Sequence, residues 1–345
     1  MTKTVFVTGA SGYIASHIVE QLLTTTTHTV RGSVRNLKDA AKTAHLTSLP
    51  HAAERLQLVE ADLTTDGAFN QAFQGCDAVI HTASPYVLNV KDPQRDLVDP
   101  AEQGTLNVLR AVVSSGTVRT VVITSSMVAM TDEPVPGHAF TEADWNTKSN
   151  LKRNAYSYSK VRAEKAAWEF VELPENKDKF RLVFIHPFAV IGPSHTKTVN
   201  VSVEIIQEIV TGKMPGIVDL NFGYVDVRDV ARAHIRAVEV ETAQGRYVCA
   251  AEAWHLEKVI EVLKREFPGY CYPSFRLPNA LVCVASYFEG QGRGSFLRSH
   301  IGKGGYEFDN AKIKKDLGME FMSVETSVMD TLKDLRKWGN VPEEK

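Results

Sequence analysis

The sequence predicts an α/β fold, a doubly wound parallel sheet with a smaller C-terminal lobe. Three observations predict it. Short apolar runs alternate with helical patterns through the first half of the chain, as in a parallel sheet covered by helices on both faces. The first run, Thr4–Thr8, passes through a glycine turn straight into a helical pattern. At 345 residues the chain exceeds the usual size of a single core, so two lobes are expected.

The elements follow in order. Thr4-Val5-Phe6-Val7-Thr8 reads as a buried strand, and Ile14, Ile18, Leu22 and Leu23 then recur at helical spacing. The threonines 24–27 read as a helix end and a loop. Residues 30–34, 56–59 and Ala78–His81 read as the second, third and fourth strands. Residues 100–113 read as a helix with Leu106, Leu109, Ala111 and Val113 on its apolar faces. Residues 121–124 and 181–185 are the fifth and sixth strands. Residues 203–210 and 256–267 read as amphipathic helices, and 323–338 as a C-terminal helix. The run Tyr224-Val225-Asp226-Val227-Arg228-Asp229 reads as a strand and helix returning to the first lobe, with Asp229 near the N-cap. The glycines of 289–294 follow no strand and read as a mobile loop. The expected division is 1–194 with 223–250 for the first lobe and 195–222 with 251–345 for the second.

Composition limits what such a chain does. With 43% hydrophobic and 23% charged residues it is an ordinary globular protein. A net charge of −2 offers no basic surface, so neither nucleic acid nor a membrane is expected as partner. Cys76, Cys249, Cys271 and Cys283 show no CxxC or Cys/His spacing. No metal is expected, and free thiols fit a reducing, cytoplasmic compartment. The first strand begins at once, leaving no room for a signal peptide. The longest apolar run, 280–288, is far short of the roughly 20 residues of a membrane span.

Strand, glycine turn and helix in that order form the dinucleotide-binding context of a Rossmann-type sheet. In Gly9-Ala10-Ser11-Gly12-Tyr13-Ile14-Ala15, Gly9 allows the tight turn and Gly12 lets the backbone approach a pyrophosphate. Small Ala15 allows close packing. The helix N-terminus presents free N–H groups and a positive dipole end. Gly9, Ser11, Gly12, Tyr13 and Ile14 are therefore assigned to the cofactor. NAD sites place an acid about 20 positions beyond the glycines. Residues 30–38 contain no carboxylate; Arg35 closes the strand, and Lys38 and Lys42 follow. A guanidinium suits a ribose 2′-phosphate, which predicts NADP(H).

Tyr156-Ser157-Tyr158-Ser159-Lys160 places Tyr156 and Lys160 on one helix face. An adjacent ammonium lowers a phenol pKa from its reference near 10. Such a tyrosine can move a proton near neutral pH. The strand 121–124 ends in Ser125-Ser126, where ligands of open parallel sheets bind. Strand alternation turns one of the two hydroxyls into the cleft.

Together these residues resemble an extended short-chain dehydrogenase/reductase. The runs 81–85, 100–109, 160–168 and 224–231 are similar to dihydroflavonol reductases and cinnamoyl-CoA reductases, and fungal carbonyl and methylglyoxal reductases share the pattern. The likeness runs from residue 4 to about residue 250. It implies that Ser126, matching the family's second serine, is catalytic with Tyr156 and Lys160. It further implies cofactor contacts at Asp62 and Leu63, at Thr82, Ala83 and Ser84, and at Pro187 and Val190, with Tyr156 and Lys160 on the nicotinamide ribose. His186 departs from the arginine of many relatives and is expected to pack at a strand end.

The expected function is an NADPH-dependent reductase that transfers a hydride to a ketone or aldehyde of dihydroflavonol, cinnamoyl or methylglyoxal type, with Tyr156 as proton donor. The alternatives are a 3β-hydroxysteroid dehydrogenase or a sugar-nucleotide epimerase on the same fold, and a cofactor-sensing binding protein. Ser84, Pro85, Tyr86, Met127, Val128, Phe188 and Phe222 are the expected pocket, largely apolar. Arg293, Arg298, Lys303 and Lys314 are the cations that could meet coenzyme A phosphates. Both a monomer and a homodimer fit.

Overall fold

The computed structural model describes residues 2–84 and 90–344. The first half runs β1 (Thr4–Thr8), α1 (Tyr13–Thr25), β2 (Thr29–Val34), α2 (Ala40–Thr47), α3 (Ala52–Arg55), β3 (Leu56–Glu60), β4 (Ala78–His81), α4 (Asp99–Ser115) and β5 (Thr120–Thr124). It continues with β6 (Ala139–Phe140), α5 (Ala155–Glu172), β7 (Arg181–Pro187), β8 (Ala189–Ile191), α6 (Val201–Val210), β9 (Asn221–Asp226), α7 (Val227–Glu239) and β10 (Gly245–Cys249). The chain ends in β11 (Glu252–His255), α8 (Leu256–Glu266), α9 (Asn279–Ala285), α10 (Gln291–His300), β12 (Glu307–Phe308), α11 (Ala311–Leu317) and α12 (Val324–Lys337). The expected strands and helices of the first half are all present, and the helices 203–210, 256–267 and 323–338 lie within two residues of their predicted bounds.

Seven parallel strands form the main sheet in the order β10-β7-β5-β4-β1-β2-β3. The chain leaves β1 toward β2 and β3, then returns to place β4 on the other side of β1. Between β1 and β4 the strand order reverses, and the crevice beyond their carboxyl ends is where this fold binds ligands. Side chains alternate between the faces. Val5 and Val7 join the core under α1 and α7, with Ile18, Leu22, Val230 and Ala233. Phe6 joins the core under α4 and α5, with Val108, Val112 and Ala167. Every residue of β4 is buried, as expected of a strand covered on both sides.

The second lobe is built on a three-stranded sheet, β11-β9-β8. Helices α6, α8 and α12 close over it around Ile206, Ile209, Trp254, Leu263, Val328 and Leu332. From this lobe α11 crosses back, and its Ile313 and Leu317 enter the core of the main sheet. Among the described residues no helix is long and apolar enough to cross a membrane.

One sequence expectation holds and another is corrected. Asp226 caps α7, accepting from the Arg228 N–H at 2.8 Å, and Asp229 lies near that N-cap as expected. Asp229 lies in the first turn and accepts from the Met322 N–H at 2.7 Å, anchoring the chain ahead of α12. Residues 289–294 are not a loop throughout, because α10 begins at Gln291. Gly294 leaves no room for a side chain against the Ser286 carbonyl, so this glycine lets α10 lie against the end of α9.

Candidate active site

The ends of β1 and β4 are laced together. The Thr8 hydroxyl accepts from the Thr82 N–H at 3.1 Å and the Ala83 N–H at 3.2 Å. With both lone pairs so occupied, it donates its one proton to His81 Nδ1 at 2.8 Å. Burial, with the Lys160 charge adding to it, brings His81 down to about 3, so its ring is neutral. The Thr82 hydroxyl donates back to the Thr8 carbonyl at 2.6 Å.

Between these ends Gly9 has φ +63°, and a Cβ there would stand 3.1 Å from that of Ala83. The Gly9 N–H donates to Ser33 Oγ at 2.9 Å, holding the turn on β2. Helix α1 starts with no side-chain cap and no acid in its first turn. Its orphan N–H groups and dipole are therefore available to a phosphate, and this cradle fits a dinucleotide. The Tyr13 phenol is turned away, donating to the Gly192 carbonyl at 2.9 Å, while Ile14 packs on the main core.

Arg35, Lys38 and Lys42 are exposed just beyond β2. The first acid of this segment, Asp39, is engaged in capping α2. The Thr64 hydroxyl at 2.6 Å and N–H at 2.8 Å bind Asp62. These bonds, with a smaller contribution from the Arg35 charge, hold its carboxyl below the usual range. Leu63 packs against Gly104, and its carbonyl accepts from Asn107 Nδ2 at 3.2 Å.

The two serines after β5 part ways. Ser125 is buried and donates to Glu164 Oε2 at 2.6 Å. Ser126 faces the cleft, accepting from the Val128 N–H and donating to the Pro187 carbonyl, both at 3.4 Å. Pro187 ends β7, and Val190 lies buried in β8 beside Val225.

Helix α5 is fixed at its start. Asn154 takes a left-handed conformation at φ 51°. Buried Asp132 accepts from Asn154 Nδ2 at 2.5 Å, from Ser149 Oγ at 2.6 Å and from Arg153 Nε at 2.6 Å. The next turn carries Tyr156, and Lys160 Nζ lies 5.9 Å from the centre of its ring. Lys160 is only 8% exposed. Burial lowers its pKa to about 8, against the opposing pull of Glu164.

Glu164 lies one turn further on α5, also buried. Its carboxylate accepts from Ser125, from His186 Nε2 at 2.8 Å and from Arg246 Nε at 2.7 Å. Burial acts to raise its pKa, but His186, Arg246 and Ser125 outweigh that and hold it down to about 2. The Arg246 guanidinium lies 4.1 Å over the Trp145 ring. Glu164 and Arg246 escaped the sequence reading. The i, i+4 spacing of Lys160 and Glu164 was a signal for the first; nothing local marks Arg246.

Ser126 and Tyr156 line a cavity of about 830 Å³, walled by Val128, Phe188, Leu220, Phe222, Leu281 and Phe296. The expected pocket is corrected at Met127, which is fully buried in the core behind it. Ser84 is not in the wall, and Pro85 and Tyr86 lie outside the described residues. Two of the candidate phosphate-binding cations, Arg293 and Arg298, are engaged within the protein. Arg293 pairs with both oxygens of Glu208 at 2.9 Å, Arg298 donates to the Ser286 carbonyl, and Lys314 sits on α11.

Residues 5–250 match the NAD dependent epimerase/dehydratase family. The chain belongs to this family. It is 38% identical over 341 residues to a cinnamoyl-CoA reductase of Medicago truncatula, covering 96% of this chain and 95% of that one. Among solved structures, Gre2 of Candida albicans in complex with NADPH superimposes with a TM-score of 0.81 at 33% identity, covering 97% of this chain and 99% of that one. Yeast methylglyoxal/isovaleraldehyde reductase Gre2 with NADPH gives 0.78 at 30% identity, covering 98% and 100%. The predicted family and fold are borne out.

Removing one partner of a buried charge cluster strands the others. Glu164→Gln is expected to lose about 3–5 kcal/mol of stability in urea unfolding at pH 7. Because the folded-state carboxyl titrates below its unfolded value near 4.5, this stabilisation is complete above that pH and lost as pH falls toward 2. The gap between wild type and variant should shrink across that window. A gap under about 1 kcal/mol at pH 7 would show that the cluster contributes little.

Proposed function

We propose that the protein is an NADPH-dependent carbonyl reductase acting on apolar aldehydes and ketones. The observation that carries the reading is the placement of Ser126 and Tyr156 in the wall of one apolar cavity, with Lys160 buried beside the phenol. The NADPH bound by the two Gre2 reductases supports the choice of cofactor.

Gly9, Ser11, Gly12, Tyr13 and Ile14 hold the pyrophosphate at the α1 N-terminus. Arg35 and Lys42 meet the 2′-phosphate, Asp62 and Leu63 flank the adenine, and Thr82, Ala83 and Ser84 line the path to the nicotinamide. Pro187 and Val190 orient its carboxamide. When bound, the reduced nicotinamide supplies a hydride to the carbonyl carbon. Ser126 hydrogen-bonds the carbonyl oxygen, where negative charge develops. Tyr156 donates its phenolic proton to that oxygen. The Lys160 ammonium stabilises the resulting phenolate and holds the ribose hydroxyls. The apolar walls favour aryl or alkyl groups, and the pairing of Arg293 with Glu208 favours a free carbonyl compound over a coenzyme A thioester. A reducing compartment such as the cytoplasm suits the four free thiols.

The test is NADPH oxidation over a panel of methylglyoxal, small aldehydes, aryl ketones, cinnamaldehydes, a dihydroflavonol and a ketosteroid. Tyr156→Phe is expected to lower turnover by about 10²–10⁴-fold with NADPH affinity nearly unchanged. Equal turnover in wild type and variant would refute the proton-donor role. No oxidation with any substrate, with the cofactor tightly bound, would favour the epimerase.

Arg35→Ala is expected to weaken NADPH by about ten-fold while leaving NADH unchanged. An equal loss for both cofactors would remove Arg35 from the 2′-phosphate site.

Turnover also has a predicted alkaline limb. Lys160 must be charged to support the phenolate, so activity should fall as pH rises through about 8. Glu164→Gln removes the charge that raises the Lys160 pKa and should move this limb to lower pH. A limb that stays in place would disconnect Lys160 from the profile.

A further inference from the structure

Away from the cleft, α1 and the segment after β8 bring three side chains to one point. His17 and Glu20 share a face of α1 at i, i+3 spacing, and His195 reaches them from the loop. One carboxylate oxygen, Glu20 Oε2, lies 3.4 Å from His17 Nδ1 and 3.2 Å from His195 Nε2. All three ligand atoms fall within 4.8 Å of one another.

The proton positions make this an unusual group. His17 Nε2 donates to the Pro193 carbonyl at 2.9 Å, which leaves Nδ1 to face Glu20. A backbone carbonyl that holds the far ring nitrogen in this way orients a metal-binding imidazole. The His17 side chain is only 4% exposed. Its Nδ1 and His195 Nε2 are both buried and both face Glu20 Oε2. With Nε2 held as the donor to Pro193, the other His17 nitrogen faces the Glu20 carboxylate, and the His195 ring lies alongside with ring centres 4.2 Å apart. A single cation shared among the three ligands satisfies both nitrogens and the carboxylate.

We infer that His17, Glu20 and His195 form a zinc-binding site. Two imidazoles and a carboxylate suit Zn²⁺, with bonds of about 2.0–2.2 Å. Tetrahedral edges are then about 3.3 Å, close to the two observed separations. The Glu20 side chain is 35% exposed, leaving a fourth position for water. The site would join the cofactor-facing helix to the 192–195 segment. That segment is already tied to α12, through the Gly192 N–H on Thr331 at 2.8 Å and the Ser194 N–H on Asp334 at 2.8 Å. An ion here would hold α1, the loop after β8 and the C-terminal helix as one unit.

The test needs no substrate or nicotinamide. Chelator-treated full-length protein is titrated with Co²⁺, followed by visible absorbance, and with Zn²⁺, followed by thermal unfolding. Saturation at one equivalent is expected, with the d–d bands of low-symmetry cobalt and a raised Tm. Glu20→Gln and His195→Gln, each checked for native circular dichroism, should weaken both metals by at least about ten-fold. Absence of saturable binding in the wild-type protein would overturn the site. So would binding of equal strength in both variants, which would place the metal elsewhere.

Discussion

Glu164 accepts from the end of β5 through Ser125, from β7 through His186 and from β10 through Arg246. It does so from the middle of α5, one turn beyond Lys160. A charge buried this deeply would be costly alone. Paired and hydrogen-bonded on all sides, it locks the helix carrying Tyr156 onto the strands that end at the cleft. The same contact decides between the two serines: with Ser125 held inward, alternation leaves Ser126 to face the cavity. It also keeps a negative charge beneath Lys160, which partly offsets the desolvation of the ammonium. The seating of α5, the facing of Ser126 and the surroundings of Lys160 thus meet at one carboxylate.

The cofactor side depends on a different constraint, the approach of two strand ends. Thr8 binds His81, Thr82 and Ala83 together, and Gly9 passes close to Ala83 with a positive φ. The crevice at the reversal of strand order is therefore shaped before any ligand arrives. Its other wall is aromatic: Phe222 stacks on Phe296, and Phe296 on His300. His300 in turn bonds the buried Tyr306 hydroxyl at 2.8 Å. Through Ser299 on α10, which accepts from Asn154 at 3.2 Å, this wall reaches the start of α5.

The first half of the chain was legible because its signals are local. Strands of buried aliphatics, the Gly9–Gly12 turn and the Tyr156–Lys160 spacing each declare themselves within a few residues. The second half was less so. The glycines of 289–294 read as a loop because the role of Gly294, close packing of α10 on α9, depends on a segment the local pattern does not contain. Asp229 lies near the N-cap of α7 as its position in the strand–helix junction implies, but that Asp226 is the cap itself follows only from the backbone geometry. Met127 looked like a pocket residue by position, but the short turn capped by Ser126 points it into the core. Arg246 and the group of His17 with His195 join residues far apart in sequence, where no spacing rule applies.

The proposed chemistry requires Ser126 and Tyr156 to converge on a carbonyl oxygen in this cavity. The most direct measurement is a crystal structure of the ternary complex with NADP⁺ and an unreactive carbonyl analogue. The analogue's oxygen is expected within about 2.6–3.2 Å of both the Ser126 hydroxyl and the Tyr156 phenol, with Ser125 still bound to Glu164. An oxygen bound to other groups, with Ser126 left on the Pro187 carbonyl, would contradict it.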